Sequence, residues 1–176
     1  MGNVVQYCTF SVERLSFAVE VDRVQEVMRY SHVTRVPLAP AIVAGLMNLR
    51  GDIVTAIDMR ARLALPPRAP GTIAMSVVLR RADGAISLLV DRIGDVIEVA
   101  QDSLMAVPQT IPSGVREVSR GVIAWERELL LLLDTNRAVP EDPAPKVRRN
   151  SDKAPTLLPR VAEVPGSHPH ERFGAE

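Results

Sequence analysis

Hydrophobic and polar positions alternate along much of the chain as far as Val139, the period of two that marks half-buried strands. Residues 4–12 place Cys8, Phe10 and Val12 on one side of a strand, and Leu15, Phe17, Val19 and Val21 alternate again after Glu13-Arg14. The two segments predict a hairpin. Residues 22–28 are short and bent before a further strand near Arg29, and residues 34–37 are extended because residues before proline avoid the helical region. One helical turn is expected over residues 40–44. Residues 46–49 and 53–57 then read as a second hairpin, with Arg50-Gly51-Asp52 as the reversal and Gly51 supplying positive φ. Asp58 caps a short helical turn carrying Met59, Arg62 and Leu63. A hairpin tip favours contact over packing, and Arg50 offers a rigid multi-donor fork there.

The connector 65–71 is rich in proline and glycine, and residues 74–82 and 85–91 flank the hairpin signal Asp83-Gly84. Residues 95–99 continue as strand, while residues 103–114 hold two prolines and read as loop. Residues 118–125 and 128–133 form a last hairpin, whose return strand is apolar on both faces and therefore buried. Residues 134–138 mirror the turn after Asp58.

That mirror belongs to a wider repeat. Val21-Asp22-Arg23-Val24 before Glu26-Val27-Met28 recurs as Val90-Asp91-Arg92-Ile93 before Asp95-Val96-Ile97. Gly45-Leu46-Met47, running on to Ile57-Asp58-Met59, recurs as Gly121-Val122-Ile123, running on to Leu133-Asp134-Thr135. The pattern predicts a mainly all-β body, residues 1–139, built by internal duplication from two lobes at about 9–63 and 74–138. Two copies are too few for an array, and short strands with regular turns favour small barrels, which hide their edges. From residue 140 the hydrophobic period stops and half of the 14 prolines accumulate, so 140–176 reads as a disordered tail.

Composition narrows the function. Lysine plus arginine equals aspartate plus glutamate at 21 each, so no long-range field recruits nucleic acid or an acidic membrane. Aromatic residues are few, leaving little for bases to stack on. The longest aliphatic run, residues 129–133, is too short to cross a bilayer, which argues against direct membrane insertion. No secretory signal is visible, and Gln6 stands where a myristoylation motif wants Ser or Thr. One cysteine permits no internal disulfide and fits a reducing, cytoplasmic compartment.

Candidate chemistry is sparse. Arg50 and Glu26 form either a charged patch that orients a partner or a solvated turn arginine beside an unrelated glutamate. Cys8 with His32 or a tail histidine as base would make a small cysteine-dependent enzyme, yet Cys8 shares its strand face with Phe10 and Val12 and no nucleophile turn surrounds it. His168 and His170, with Glu163 and Glu171, lack the fixed geometry of a metal site. Asp58 and Asp91 read as cap or turn residues in preference to phospho-acceptors, because alternating strands and helices are missing. No catalytic constellation, cofactor or metal is expected.

The ordered series Phe17-Ala18-Val19-Glu20-Val21, Val24-Gln25-Glu26-Val27, Thr34-Arg35-Val36-Pro37, Gly45-Leu46-Met47-Asn48-Leu49-Arg50-Gly51, Ile57-Asp58-Met59-Arg60, Leu89-Val90-Asp91-Arg92-Ile93 and Leu131-Leu132-Leu133-Asp134 resembles the CheW family of chemotaxis coupling proteins. The resemblance covers about residues 6–139. It implies two SH3-like five-stranded barrels around a shared apolar core, and no enzymatic activity. It further implies an adaptor that bridges the cytoplasmic hairpin tip of chemoreceptors to the regulatory domain of a CheA-type histidine kinase. A kinase-docking module of another pathway, such as surface motility, is the variant of this reading. Carried over by position, the receptor-facing groove would involve Val24, Glu26, Gly45, Arg50, Ser87, Ile93 and Val96. Thr55-Ala56 stands where the family often has proline and an aliphatic residue, and Ser87 and Ala18 stand where glycine is frequent.

Overall fold

The computed structural model describes residues 4–30 and 32–139; the tail expected to be disordered, with its two histidines, lies outside the described residues. The strands are β1 (Val4–Val12), β2 (Leu15–Glu20), β3 (Val24–Arg29), β4 (Val43–Leu49), β5 (Asp52–Asp58), β6 (Met75–Arg81), β7 (Gly84–Val90), β8 (Arg92–Ala100), β9 (Leu104–Met105), β10 (Ser119–Trp125) and β11 (Glu128–Leu133). Two short helices, α1 (Met59–Arg62) and α2 (Ser113–Glu117), follow β5 and precede β10.

The chain is mainly β, in two sheets. Six strands run in the order β8-β1-β2-β11-β10-β9, and five in the order β3-β6-β7-β5-β4. The sixth strand, β9, has only two residues, so each sheet has five principal strands. The orders superimpose when β3, β6, β7, β5 and β4 are matched to β8, β1, β2, β11 and β10. This is the expected duplication, with one difference. Each sheet takes its first hairpin from one half and its other three principal strands from the other half, so neither 9–63 nor 74–138 makes a sheet by itself. The cause is local. β2 runs into β3 through one 3₁₀ turn, Val21–Arg23, and Asp91 alone separates β7 from β8. Neither link reverses the chain into a hairpin, so it crosses to the other sheet both times.

The crossing fills both sides of the inner strands. β2 lies between β1 and β11, pairing with β11 in parallel (Leu131 opposite Phe17), and β7 pairs with β5 in parallel (Leu88 opposite Ile57). On one face, Phe10, Phe17 and Leu131 meet Ile57, Leu79 and Leu88 in a core shared by the sheets. Within it, the Phe10 and Phe17 rings stack with centroids 5.5 Å apart. On the other face each sheet has its own cluster, Tyr7, Ile97, Ile123 and Leu132 in one and Met47, Leu49, Val54 and Leu89 in the other. β8 and β10 contribute to the same cluster from distant positions in the sheet order, so the sheet is rolled into a barrel-like wall.

Smaller expectations shift. Residues 40–44 form no helical turn: the Val43 N–H donates to the Pro40 carbonyl at 2.8 Å and Val43 already pairs with Ile57. The 103–114 loop contains β9 and the start of α2, because the Pro112 carbonyl accepts from the N–H groups of Val115 and Arg116 at 3.0 Å. The β6–β7 turn is Ala82-Asp83, one residue early, since Gly84 (φ 132°) already pairs with Arg81. Asp58 does cap α1, accepting from the Arg60 N–H at 2.9 Å, and Asp134 repeats the device with Asn136 and Arg137 at 3.0 and 3.2 Å.

Candidate functional site

Leu49 pairs with Asp52, so the β4–β5 loop is two residues, Arg50 (φ 54°) and Gly51 (φ 97°). Consecutive positive φ angles match a type I′ turn, whose twist suits a hairpin. The reversal is therefore shorter than expected, with Asp52 inside β5. The Gly51 N–H donates to Asn48 Oδ1 at 2.8 Å, which fastens the loop to its own strand.

Arg50 Nη2 donates to Glu26 Oε2 at 3.0 Å. The Arg50 side chain is 81% exposed and that of Glu26 only 18%. Glu26 lies on β3 and Arg50 adjoins β4, the two edges of the five-stranded sheet, so the pair bridges the seam where the rolled sheet meets itself. An ion pair this exposed contributes at most about 1 kcal/mol to stability. Its consequence is orientation: a half-buried carboxylate holds one end of a guanidinium whose remainder faces solvent.

The other positions divide. Val24 and Ile93 are half-buried against the shared core, on equivalent strands β3 and β8. Val96 is exposed on β8. Gly45 and Ser87 are interior. Ser87 is fully buried and its hydroxyl lies 2.6 Å from that of Ser76. A Cβ on Gly45 (φ 148°) would sit 2.3 Å from the Thr34 carbonyl oxygen. Both support the sheet from within.

Sequence reasoning missed a half-buried charge network. Arg60 grips Asp91 with Nε at 3.0 Å from both carboxylate oxygens and Nη2 at 2.8 Å. Arg68 binds Asp58 through Nη1 at 3.0 and 3.1 Å and the Leu89 carbonyl through Nη2 at 2.9 Å. Its Nε lies 2.8 Å from Asp91 Oδ1 as an ion pair without hydrogen-bond alignment. Asp91 also accepts from the Glu13 N–H at 2.6 Å, joining the β1–β2 turn to the other sheet. Burial alone would raise the Asp91 carboxyl, but the bonds from Arg60 and Glu13 and the charges of Arg68 and Arg60 outweigh it and hold the group below the usual range. Asp58 and Asp91 are thus structural ligands of arginine; the cap-or-turn reading anticipated the Asp58 cap but not the arginines.

Cys8 is 6% exposed inside the shared core with Phe10 and Val12, and burial pushes its thiol up. A nucleophile needs the opposite shift. His32 is exposed and makes no hydrogen bond to Cys8 among the described residues. Native protein is expected to resist iodoacetamide and to react fully in denaturant; labelling of Cys8 in the native state would contradict its burial. Among the described residues no acidic, histidine or cysteine cluster suits a metal, and no helix is long and apolar enough to cross a membrane.

Comparison with known proteins agrees with this geometry. A probable chemotaxis protein CheW of Rhizobium etli is 27% identical over 125 residues, covering 71% of this chain and 81% of that protein. The chemotaxis protein CheW of Rhizobium meliloti is 29% identical over 133 residues, covering 76% and 86%. The crystal structure of the scaffolding protein TtCheW from Thermoanaerobacter tengcongensis superposes with a TM-score of 0.68 at 20% identity, over 76% of this chain and 90% of that one, and speaks for the fold. The model of the CheW-like domain matches residues 6–142, and with this match the chain belongs to the CheW-like domain family.

Proposed function

We propose that this protein is a non-catalytic adaptor that couples chemoreceptors to a CheA-type histidine kinase, working in the cytoplasm and reaching membrane receptor arrays through its partners. The observation that carries the reading is the Arg50–Glu26 pair, which presents an exposed guanidinium at a hairpin tip and fixes its direction. Val24 at the rim of the core and Val27, exposed on β3, add apolar area beside it. Apolar contact then supplies affinity while the charge sets register. The adaptor works by holding receptor tip and kinase regulatory domain together, so that contacts differing between receptor states bias the kinase. Ile93 and Val96 extend the receptor side along β8, whereas Gly45 and Ser87 act indirectly, by keeping the sheet in shape.

Arg50→Glu places a carboxylate opposite Glu26. Receptor pull-down is expected to fall at least tenfold, while the melting temperature moves by no more than about 3 °C, because an exposed pair is worth so little. Normal receptor capture by this variant would remove Arg50 from the interface.

A further inference from the structure

The duplication provides an internal control. Matching Asp134 to Asp58 places Glu126-Arg127 at the tip equivalent to Arg50-Gly51, and Glu126 shares the positive φ of Arg50, 52° against 54°. Matching Ile93 to Val24 places Asp95 where the first repeat has Glu26. The seam that carries an ion pair in the five-stranded sheet therefore carries two carboxylates in the six-stranded one. Among the described residues, neither Asp95 nor Glu126 has a cationic partner.

That seam is open. A cavity of about 630 Å³ lies there, lined by Asp95 and Ile97 of β8, by Trp125 and Glu128 of the flanking strands, and by Glu126 and Arg127 at the tip. Three carboxylates face one guanidinium. β8 is also an edge strand: nine residues long, it pairs only with β1, and its other side holds no ladder among the described residues. It has no proline or lysine, and its edge is interrupted only by a bulge between Ile93 and Val96 and by the charges of Arg92, Asp95 and Glu98.

We propose that this seam is a docking site for an extended segment of a partner protein carrying lysine or arginine, which adds to the free edge of β8. The backbone of the guest completes the ladder, and its cations meet Asp95, Glu126 and Glu128. A cationic side chain has the Trp125 ring to lie against, an additional selection for Lys or Arg over neutral residues. The charge excess excludes an acidic strand at the same edge. The surface does not include Arg50, though it shares β8 with Ile93 and Val96.

Trp125 is the only tryptophan, so its emission reports on the seam directly. The full chain is titrated with two ten-residue peptides, one alternating Arg and Val and the other alternating Glu and Val. The Arg peptide is expected to shift Trp125 emission saturably and to perturb the backbone amides of β8 in NMR spectra. The Glu peptide is expected to do neither. Asp95→Lys combined with Glu126→Lys changes two surface side chains, and it should weaken the Arg peptide more than tenfold at unchanged melting temperature. Arg50→Glu should leave its binding unaltered, so that failure here and failure of the Arg50 contact are distinguishable. Equal binding of both peptides, retained binding in the double variant, or amide changes confined to strands other than β8 would each overturn the proposal. Should the double variant unfold, adding the Arg peptide to wild type in 0.5 M salt decides instead: with the Debye length cut to about 4 Å an electrostatic site loses most of its affinity for the peptide, and an unchanged affinity refutes it.

Discussion

Gly45→Ala is expected to lower stability by about 3–5 kcal/mol, a loss in the range of severe single substitutions. Two effects combine. An L residue at φ 148° occupies a backbone region reserved for glycine, at a cost of about 1–3 kcal/mol. The new Cβ would also lie 2.3 Å from the Thr34 oxygen and 2.8 Å from its carbonyl carbon, and backbone cannot swing aside as a side-chain end can. Relieving the overlap breaks the bridge in which Thr34 N donates to the Leu46 oxygen at 2.7 Å and Leu46 N to the Thr34 oxygen at 2.8 Å. Each lost bond adds about 1 kcal/mol. Gly51→Ala separates the effects, since Gly51 (φ 97°) has nothing within 4 Å of its virtual Cβ and incurs strain alone. Urea melts of the two variants make the comparison; equal losses would show that the close approach at Gly45 is unimportant.

How much of this was legible beforehand depends on the range of the interaction. The hairpin ending at Arg50 was readable because turn chemistry is local: glycine at the tip and alternation on both sides specify strand, bend and strand. The Asp58 cap was readable for the same reason. The duplication was readable as repeated blocks, but not the exchange of hairpins between sheets, because the pairing of β2 with β11 joins residues more than a hundred positions apart. A subtler sign was available. β11 is apolar on two faces, as a strand inside a sheet must be, and therefore needs a neighbour on its far side, the place that β2 fills with Ala18 buried on its second face. α2 escaped notice because only a proline precedes it, with no polar side chain at its cap.

The candidate site divides along the same line. Position by position, the resemblance delivered Glu26 and Arg50, whose contact the structure supplies, and Val24 and Ile93 on the same core. It also delivered Gly45 and Ser87, whose identities are explained by packing inside the sheet. Residue type alone does not separate a glycine kept for a partner from one kept for a neighbouring carbonyl. The Arg60–Asp91–Arg68–Asp58 network was invisible for a physical reason: its members come from α1, the connector and the junction of β7 with β8, and nothing in their spacing announces that they converge.

That network supports the prediction with the clearest pH signature. Asp91→Asn is expected to destabilise the protein by about 3 kcal/mol at neutral pH, the lower end for breaking a buried pair by removing one partner. The lower end applies because the side chains of Asp91, Arg60 and Arg68 retain 14%, 17% and 11% exposure. The substitution leaves the Arg60 fork and Arg68 Nε beside a neutral amide, with their desolvation uncompensated. The folded carboxyl titrates below its unfolded value, so its contribution is complete above the unfolded value of about 3.9 and disappears as pH falls through the depressed folded value. Wild type and Asp91→Asn should therefore differ by a constant amount above about pH 5, and the gap should start to close only below about pH 4, shrinking further as pH falls toward the depressed folded value. Because the pair is largely buried, 0.5 M salt should narrow the gap little, whereas an exposed pair would lose most of its effect. Denaturant melts across this pH range read both trends together. A gap that stays constant down to about pH 3 would mean that Asp91 acts through its shape and its bond to the Glu13 N–H, and that the charge of the carboxylate contributes nothing to holding the two sheets together.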